Sequence, residues 1–231
     1  MGIDTELNQN SYREVLETDA LEWLGRQEKE LLEGSSFVAS MPDISEFGQL
    51  SLDEWKKWFI ETARLIISKC PDDGVCVFYQ SDIKYQGIWV DKAYLVSKAA
   101  EEVGSSLLWH KIVCRVPPNV ATFGKPAYSH ILCFSKNVRL NDMSKSTPDV
   151  IGDLGEKTWV RGMGLENCLM IAEFIKKQIH SKRIIHPFCG EGAMLSAANF
   201  VGLDALGIER SPKRADKARR LKVGKDRKWL D

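Results

Sequence analysis

One stretch limits the architecture more than any other. Arg183-Ile184-Ile185-His186 reads as a buried strand, and Pro187-Phe188-Cys189-Gly190-Glu191-Gly192-Ala193 follows as a Gly-rich turn opening a helix through Asn199. Two glycines one residue apart let the backbone approach a ligand, and the first amides of the helix point toward it. The next strand, Ala205-Leu206-Gly207-Ile208, ends in Glu209, where a carboxylate can accept both hydroxyls of a ribose. Strand, turn, helix, strand and terminal acid together predict an α/β sheet with a nucleoside cofactor at its carboxyl edge. The position three after Gly192 is Leu195, so the G-x-G-x-x-G of dinucleotide sites is absent, and no G-K-[ST] marks a triphosphate site.

The remainder alternates strand-like and helical runs. Phe37-Val38-Ala39 leads into Ser40-Met41-Pro42-Asp43. Ser51 and Glu54 form a capping box for a helix whose core stripe is Leu52, Trp55, Phe59, Ala63 and Ile66. Residues 75–79 form a strand, 91–103 a helix, and 112–116 and 130–134 two strands joined by a loop rich in Pro and Gly. Residues 135–157 are polar and read as a loop, and 165–179 as a helix. Trp55, Trp58, His130 and His180 are expected to be packing or surface residues.

The 231 residues are 44% hydrophobic and 28% charged, which suits one large folded domain or two small ones and excludes wholesale disorder. No apolar run approaches the length of a membrane span, and the first residues lack the features of a secretory leader. A cytoplasmic location, or a nuclear one, is therefore expected, with no membrane partner. The six cysteines form no C-x-x-C pair and read as core residues, so no metal is expected. The 32 basic and 32 acidic side chains are unevenly spread. Residues 1–62 carry 14 acids against 5 bases, and residues 210–231 carry 10 bases against 3 acids. The basic end reads either as a solvated helix face or as a phosphate-contacting patch.

Several of these segments carry a resemblance. The run from His186 to Ala193 resembles the D-P-F-C-G-S-G-T motif of the S-adenosylmethionine (SAM) methyltransferases that act on amino groups of DNA and RNA bases. It matches at Pro187, Phe188, Cys189, Gly190 and Gly192, with His186 at the usually acidic first position. Ile208-Glu209-Arg210-Ser211-Pro212 is similar to the second motif, G-I-E-x-S-P. Residues 12–24 resemble the third, a strand followed by G-D-A-L-x-x-L, with Thr18 in place of Gly before Asp19 and Ala20. Ser40-Met41-Pro42-Asp43 falls where the family has its catalytic D/N/S-P-P-Y/F motif, with Asp43 in place of the aromatic. Arg161-Gly162-Met163-Gly164 resembles the segment that closes over the methionine end of SAM in circularly permuted members.

The resemblance implies a single domain over residues 1–231, with a seven-stranded, mostly parallel, Rossmann-like methyltransferase sheet, helices on both faces, and a circularly permuted order. Residues 11–134 form the catalytic half, 135–157 a polar loop, 158–210 the SAM-binding half and 211–231 a basic tail. SAM is the implied cofactor, held by Asp19, Ala20, Ser40, Met41, Arg161, Gly162, Met163, Gly164, Pro187, Phe188, Cys189, Gly190, Glu191, Gly192, Glu209 and Arg210. Ser40, Pro42 and Asp43 are the implied catalytic residues, Asp43 as a general base. Tyr79, Tyr85 or Trp89 would replace the missing aromatic, and His110, Lys111, Arg115 and Lys125 could touch phosphate. The implied reaction is methyl transfer to a nitrogen of nucleic acid. RNA (tRNA or rRNA) is expected ahead of DNA, because 135–157 is short for a recognition insert, and a separate recognition subunit could supply what is missing. The alternatives are a SAM-binding pseudoenzyme subunit of an RNA methyltransferase complex, or a methyltransferase acting on small molecules or proteins.

Overall fold

Apolar runs buried on both faces become the middle of an eight-stranded sheet in the computed structural model, which describes residues 11–230. β1 (Arg13–Leu16) leads to α1 (Ala20–Arg26), and β2 (Ser35–Ala39) to α2 (Leu52–Lys69). β3 (Cys76–Gln80) precedes a hairpin of β4 (Ile83–Tyr85) and β5 (Ile88–Val90), then α3 (Lys92–Glu102). β6 (Ser106–Cys114), β7 (Tyr128–Ser135) and the short β8 (Val150–Ile151) precede α4 (Leu165–Phe174). β9 (Arg183–His186), α5 (Ala193–Phe200), β10 (Asp204–Ile208) and α6 (Pro212–Arg220) follow, and β11 (Lys222–Val223) pairs with β12 (Trp229–Leu230).

The sheet order is β1-β10-β9-β2-β3-β7-β6-β8. The first five strands are parallel, and β7 runs antiparallel to both its neighbours. In β3, Val77 and Tyr79 pack on one face and Cys76 and Phe78 on the other, as a central strand covered twice requires. α4, α5 and α6 cover the first face, and α1, α2 and α3 the second. The capping box of α2 forms as expected: Glu54 N donates to Ser51 Oγ at 3.3 Å, and Ser51 N to Glu54 Oε2 at 2.8 Å. The six cysteines are free thiols, five buried and Cys114 half-buried. No helix of the described residues is long and apolar enough to cross a membrane.

Three expectations change. The eighth strand, beyond the expected seven, is β8, built from the stretch read as a loop. Buried Lys111 donates to the carbonyls of Thr147 at 3.0 Å and Pro148 at 2.9 Å and lies 3.2 Å from the Asp149 carboxylate, fastening that stretch to β6. Lys111 is thereby committed to structure. Residues 211–230 do not form a tail. Ala215 and Ala218 are buried, Arg219 donates to the Val15 carbonyl at 3.2 Å, and Arg13 donates to Asn199 Oδ1 at 2.7 Å and the Ala218 carbonyl at 3.0 Å. Strands of the two segments share one sheet: β1 pairs with β10, and β2 with β9.

Candidate functional site

The carboxyl ends of β1, β10, β9, β2 and β3 open on one edge of the sheet, where a cavity of ≈ 640 Å³ lies. That edge is where open α/β sheets bind ligands. After β9, Pro187, Phe188, Cys189, Gly190 and Glu191 line the cavity. Gly190 and Gly192 have φ of 56° and 83°, the left-handed region that favours glycine. Their surroundings differ. A Cβ on Gly190 would meet nothing nearer than Trp159 Cζ2 at 4.0 Å, whereas one on Gly192 would lie 2.7 Å from Ala218 Cα. Gly190 therefore faces the cavity, and Gly192, expected there too, is reserved for close packing of α6. Burial pushes the Cys189 thiol above its ordinary range, so it stays protonated and unreactive.

At the end of β10, Glu209 Oε2 accepts from Gly190 N at 3.0 Å and Oε1 from Ser211 N at 2.8 Å, with Arg214 Nε 3.6 Å away. Each carboxylate oxygen keeps a second lone pair, and Glu209 and Arg210 both line the cavity. At the end of β1, Asp19 caps α1, its Oδ1 accepting from Leu21 N at 2.9 Å and Glu22 N at 3.1 Å, while Asp19 and Ala20 form cavity wall. Arg161, Gly162 and Met163 also line the cavity, and Arg161 lies 3.4 Å from Glu46. Gly164 does not reach the cavity. A Cβ there would overlap the Leu154 carbonyl oxygen at 1.7 Å, so this glycine serves the tight entry to α4.

Ser40, Met41, Pro42 and Asp43 all line the cavity beyond β2. Asp43 is engaged twice. It caps a short 3₁₀ turn in a box with Glu46, and it is the ion-pair partner of the buried Lys92 ammonium. The ion pair occupies Asp43 Oδ1, so the carboxylate meets the cavity already holding a buried cation. The expected substitutes for the missing aromatic divide: Tyr79 lines the cavity, whereas Tyr85 and Trp89 belong to the β4–β5 hairpin and do not. Phe188, expected to hold SAM, and Trp58, expected to pack, form an aromatic wall with Phe47, which sequence reading missed; ring centroids are 4.4 Å and 6.5 Å apart in the order Phe47, Trp58, Phe188. Sequence reading also missed Trp159, over which Arg214 lies 5.7 Å from the ring centroid. Trp55 is buried in the core as expected.

His130 is more than packing. Its Nε2 lies 3.0 Å from Asp82 Oδ2, and its Nδ1 2.9 Å from His110 Nε2. Asp82 also accepts from Lys92 N at 2.8 Å and Trp89 Nε1 at 3.2 Å. Burial raises the Asp82 carboxyl, but these donors outweigh it and hold the acid below its ordinary range. Potential ligand atoms of Asp82, Asp91 and His130 lie within 4.8 Å of one another, but both Asp82 oxygens already accept hydrogen bonds.

Two observations bear on a nucleoside cofactor. Gly190 presents an open backbone face beside Glu209. His186, at the family's acidic position, is buried in the cavity wall with Nδ1 unpartnered, and burial pulls its pKa to about 3. A neutral imidazole there offers a lone pair in place of a charge.

No protein-family model and no curated relative matches the chain. Solved structures do. The PvuII cytosine-N4-specific DNA methyltransferase superposes with TM-score 0.67 at 19% identity, covering 90% of this chain and 86% of that one. A candidate DNA modification methylase from Thermus thermophilus, complexed with SAM, gives 0.64 at 16% identity, over 90% and 91% of the two chains. The M1.HpyAVI–SAM complex gives 0.63 at 15%, over 90% and 98%. The likeness runs along nearly the whole chain and establishes the fold: a Rossmann-like sheet of the kind found in the amino-methyltransferases of DNA.

Proposed function

We propose that the protein is a SAM-dependent methyltransferase acting on a nitrogen of a nucleic-acid base. The carrying observation is convergence: the Gly190 turn, Glu209, Asp19 and the Ser40–Asp43 motif, remote in sequence, share one cavity. Glu209 would hold the ribose hydroxyls, the Asp19–Ala20 backbone the adenine, and His186 with Met163 the methionine end. When bound, SAM supplies a sulfonium-activated methyl group. Ser40 would orient the acceptor nitrogen, and the Phe47–Trp58–Phe188 wall and Tyr79 would hold the base flat and exclude water. Asp43 keeps Lys92 neutralised beneath this surface, and the nitrogen's proton leaves to solvent. No residue of this scheme requires a metal.

Strand order supports the permuted reading. With β9 taken as first strand, β1-β10-β9-β2-β3 becomes 3-2-1-4-5, the doubly wound order, begun at the third strand. The RNA preference draws no support from the solved structures, two of which are named for DNA and none for RNA, and the open choice is made by experiment. Tritiated-SAM labelling of RNA, DNA and protein fractions from cells lacking this chain should place the label in one nucleic acid, and only when active protein is supplied. Label confined to protein, or SAM affinity no better than NADH affinity by calorimetry, would overturn the reading. Binding of SAM and nucleic acid with no turnover would favour the pseudoenzyme alternative.

A further inference from the structure

The mouth of the cavity has two lips, each with an exposed apolar side chain beside cations. On one, in the loop between β6 and β7, Thr122 Oγ1 donates to the Lys125 carbonyl at 2.6 Å, and Gly124 takes φ 78°. This tight turn holds Phe123 out at 96% exposure, the most exposed of the large apolar side chains among the described residues. On the other lip, Lys157 Nζ donates to the Val160 carbonyl at 3.3 Å, and Val160 is 80% exposed. Single exposed apolar residues are ordinary on a protein surface. Here Val160 lines the cavity together with Arg115, Lys125 and Lys157, and Phe123 immediately precedes Gly124 and Lys125 of the same lining.

None of those three cations has a carboxylate partner among the described residues, whereas the cavity's acids are engaged: Asp43 by Lys92, Glu46 by Arg161, Glu209 by Arg214 and Glu191 by Lys217. Burial, and then the neighbouring Arg115, pull the Lys157 ammonium below its ordinary range, so the two lips bring like charges together. Unpaired cations gathered at a mouth call for an anion, and a flat ring held in water calls for a flat partner. A nucleic-acid strand offers both at the right alternation, phosphate beside base.

We propose that Phe123 and Val160 grip an unpaired nucleic-acid strand at the cavity mouth. Phe123 stacks on a base adjacent to the one entering the cavity, while Arg115, Lys125 and Lys157 neutralise the flanking phosphates. This rests on the acceptor reading above for its direction, since it makes the cavity the destination of the neighbouring base.

The test is fluorescence anisotropy with labelled oligo(dA) and oligo(rA) of about 20 nucleotides, over a salt series, with a polyglutamate peptide as the acidic control. Phe123→Ala should weaken binding by about 5- to 150-fold at every salt concentration, leaving the salt slope unchanged, and Phe123→Trp should restore it. Replacing Arg115, Lys125 and Lys157 by Ala should flatten the slope by roughly two. Calorimetric SAM affinity should be the same in all variants. The tighter of the two oligonucleotides identifies the sugar, and either one binding in this manner supports the grip. Unaltered binding by Phe123→Ala, or polyglutamate binding equally sensitive to Phe123, overturns it. SAM binding without strand binding overturns the grip alone. Strand binding that depends on Phe123 without SAM binding sustains the grip and overturns the methyltransferase reading.

Discussion

Glu209 works in two directions, toward the backbone of its own turn and toward the cavity, and the two can be separated. Glu209→Gln keeps the shape and loses only the charge, whereas Glu209→Ala also releases Gly190 N and Ser211 N. If the carboxylate holds a ribose, Glu209→Ala should cost about 1.5–3 kcal/mol of SAM affinity, roughly 10- to 150-fold. Glu209→Gln should fall between it and wild type in the same calorimetric titration. Asp43 behaves differently, because what it neutralises is buried. Asp43→Asn leaves Lys92 without its counterion and should lower stability by about 1–3 kcal/mol. Adding Lys92→Met should recover most of that in urea unfolding. If the double variant also keeps turnover, Asp43 is a counterion; a loss of about 10²–10⁴ in rate would make it the base after all. His186 makes a pH prediction. Folded, it titrates near about 3, against an ordinary 6.5. Above both values the imidazole is neutral in either state. On acidification below the ordinary value the unfolded chain takes up a proton that the folded one refuses, so stability falls by about 1.4 kcal/mol per pH unit. Urea midpoints between about pH 7 and pH 5 should show that slope in wild type and a shallower one in His186→Asn.

Among the elements, α6 departs furthest from its sequence reading. Its charges looked available for phosphate, yet Arg214, Lys217 and Arg220 face Glu209, Glu191 and Asp216, and Arg219 reaches the backbone of β1. Arg219→Glu should therefore lower the thermal midpoint while leaving the salt slope of nucleic-acid binding close to wild type. A flattened slope with an unchanged midpoint would return these charges to the nucleic acid. The contrast shows what a sequence conveys. The turn at Gly190, the acid ending β10 and the capping box of α2 were legible because each depends on neighbours a few residues away. The partners of Arg219, the packing of Gly192 on Ala218 and the Asp82–His130–His110 chain were not, since they are made by strands and helices meeting from distant parts of the chain. Phe47, Trp58 and Trp159 were illegible for a related reason. An aromatic at helical or loop spacing has the same pattern whether it faces a core or a cavity.

For the molecule as a whole, five parallel strands in doubly wound order were foreshadowed by the alternation of apolar runs, and the two-residue β8 was not, because it has no hydrophobic pattern of its own. What the sheet does with its ends matters for how the protein is made. Tyr12 N donates to Asp204 Oδ1 at 2.8 Å across a separation of 192 residues, at the start of the only ladder that β1 makes among the described residues. A chain emerging from the ribosome exposes β1 long before its partner β10. At about 5–20 residues per second, β1 waits roughly 10–40 s with its edge unsatisfied. During that interval β2, β3, β6 and β7 can already associate, so the growing polypeptide has a folded centre and an adhesive N-terminal strand. The cavity, whose walls include the ends of β9 and β10, closes only once those strands have arrived, so a ligand that fills it can stabilise the chain only from that point on.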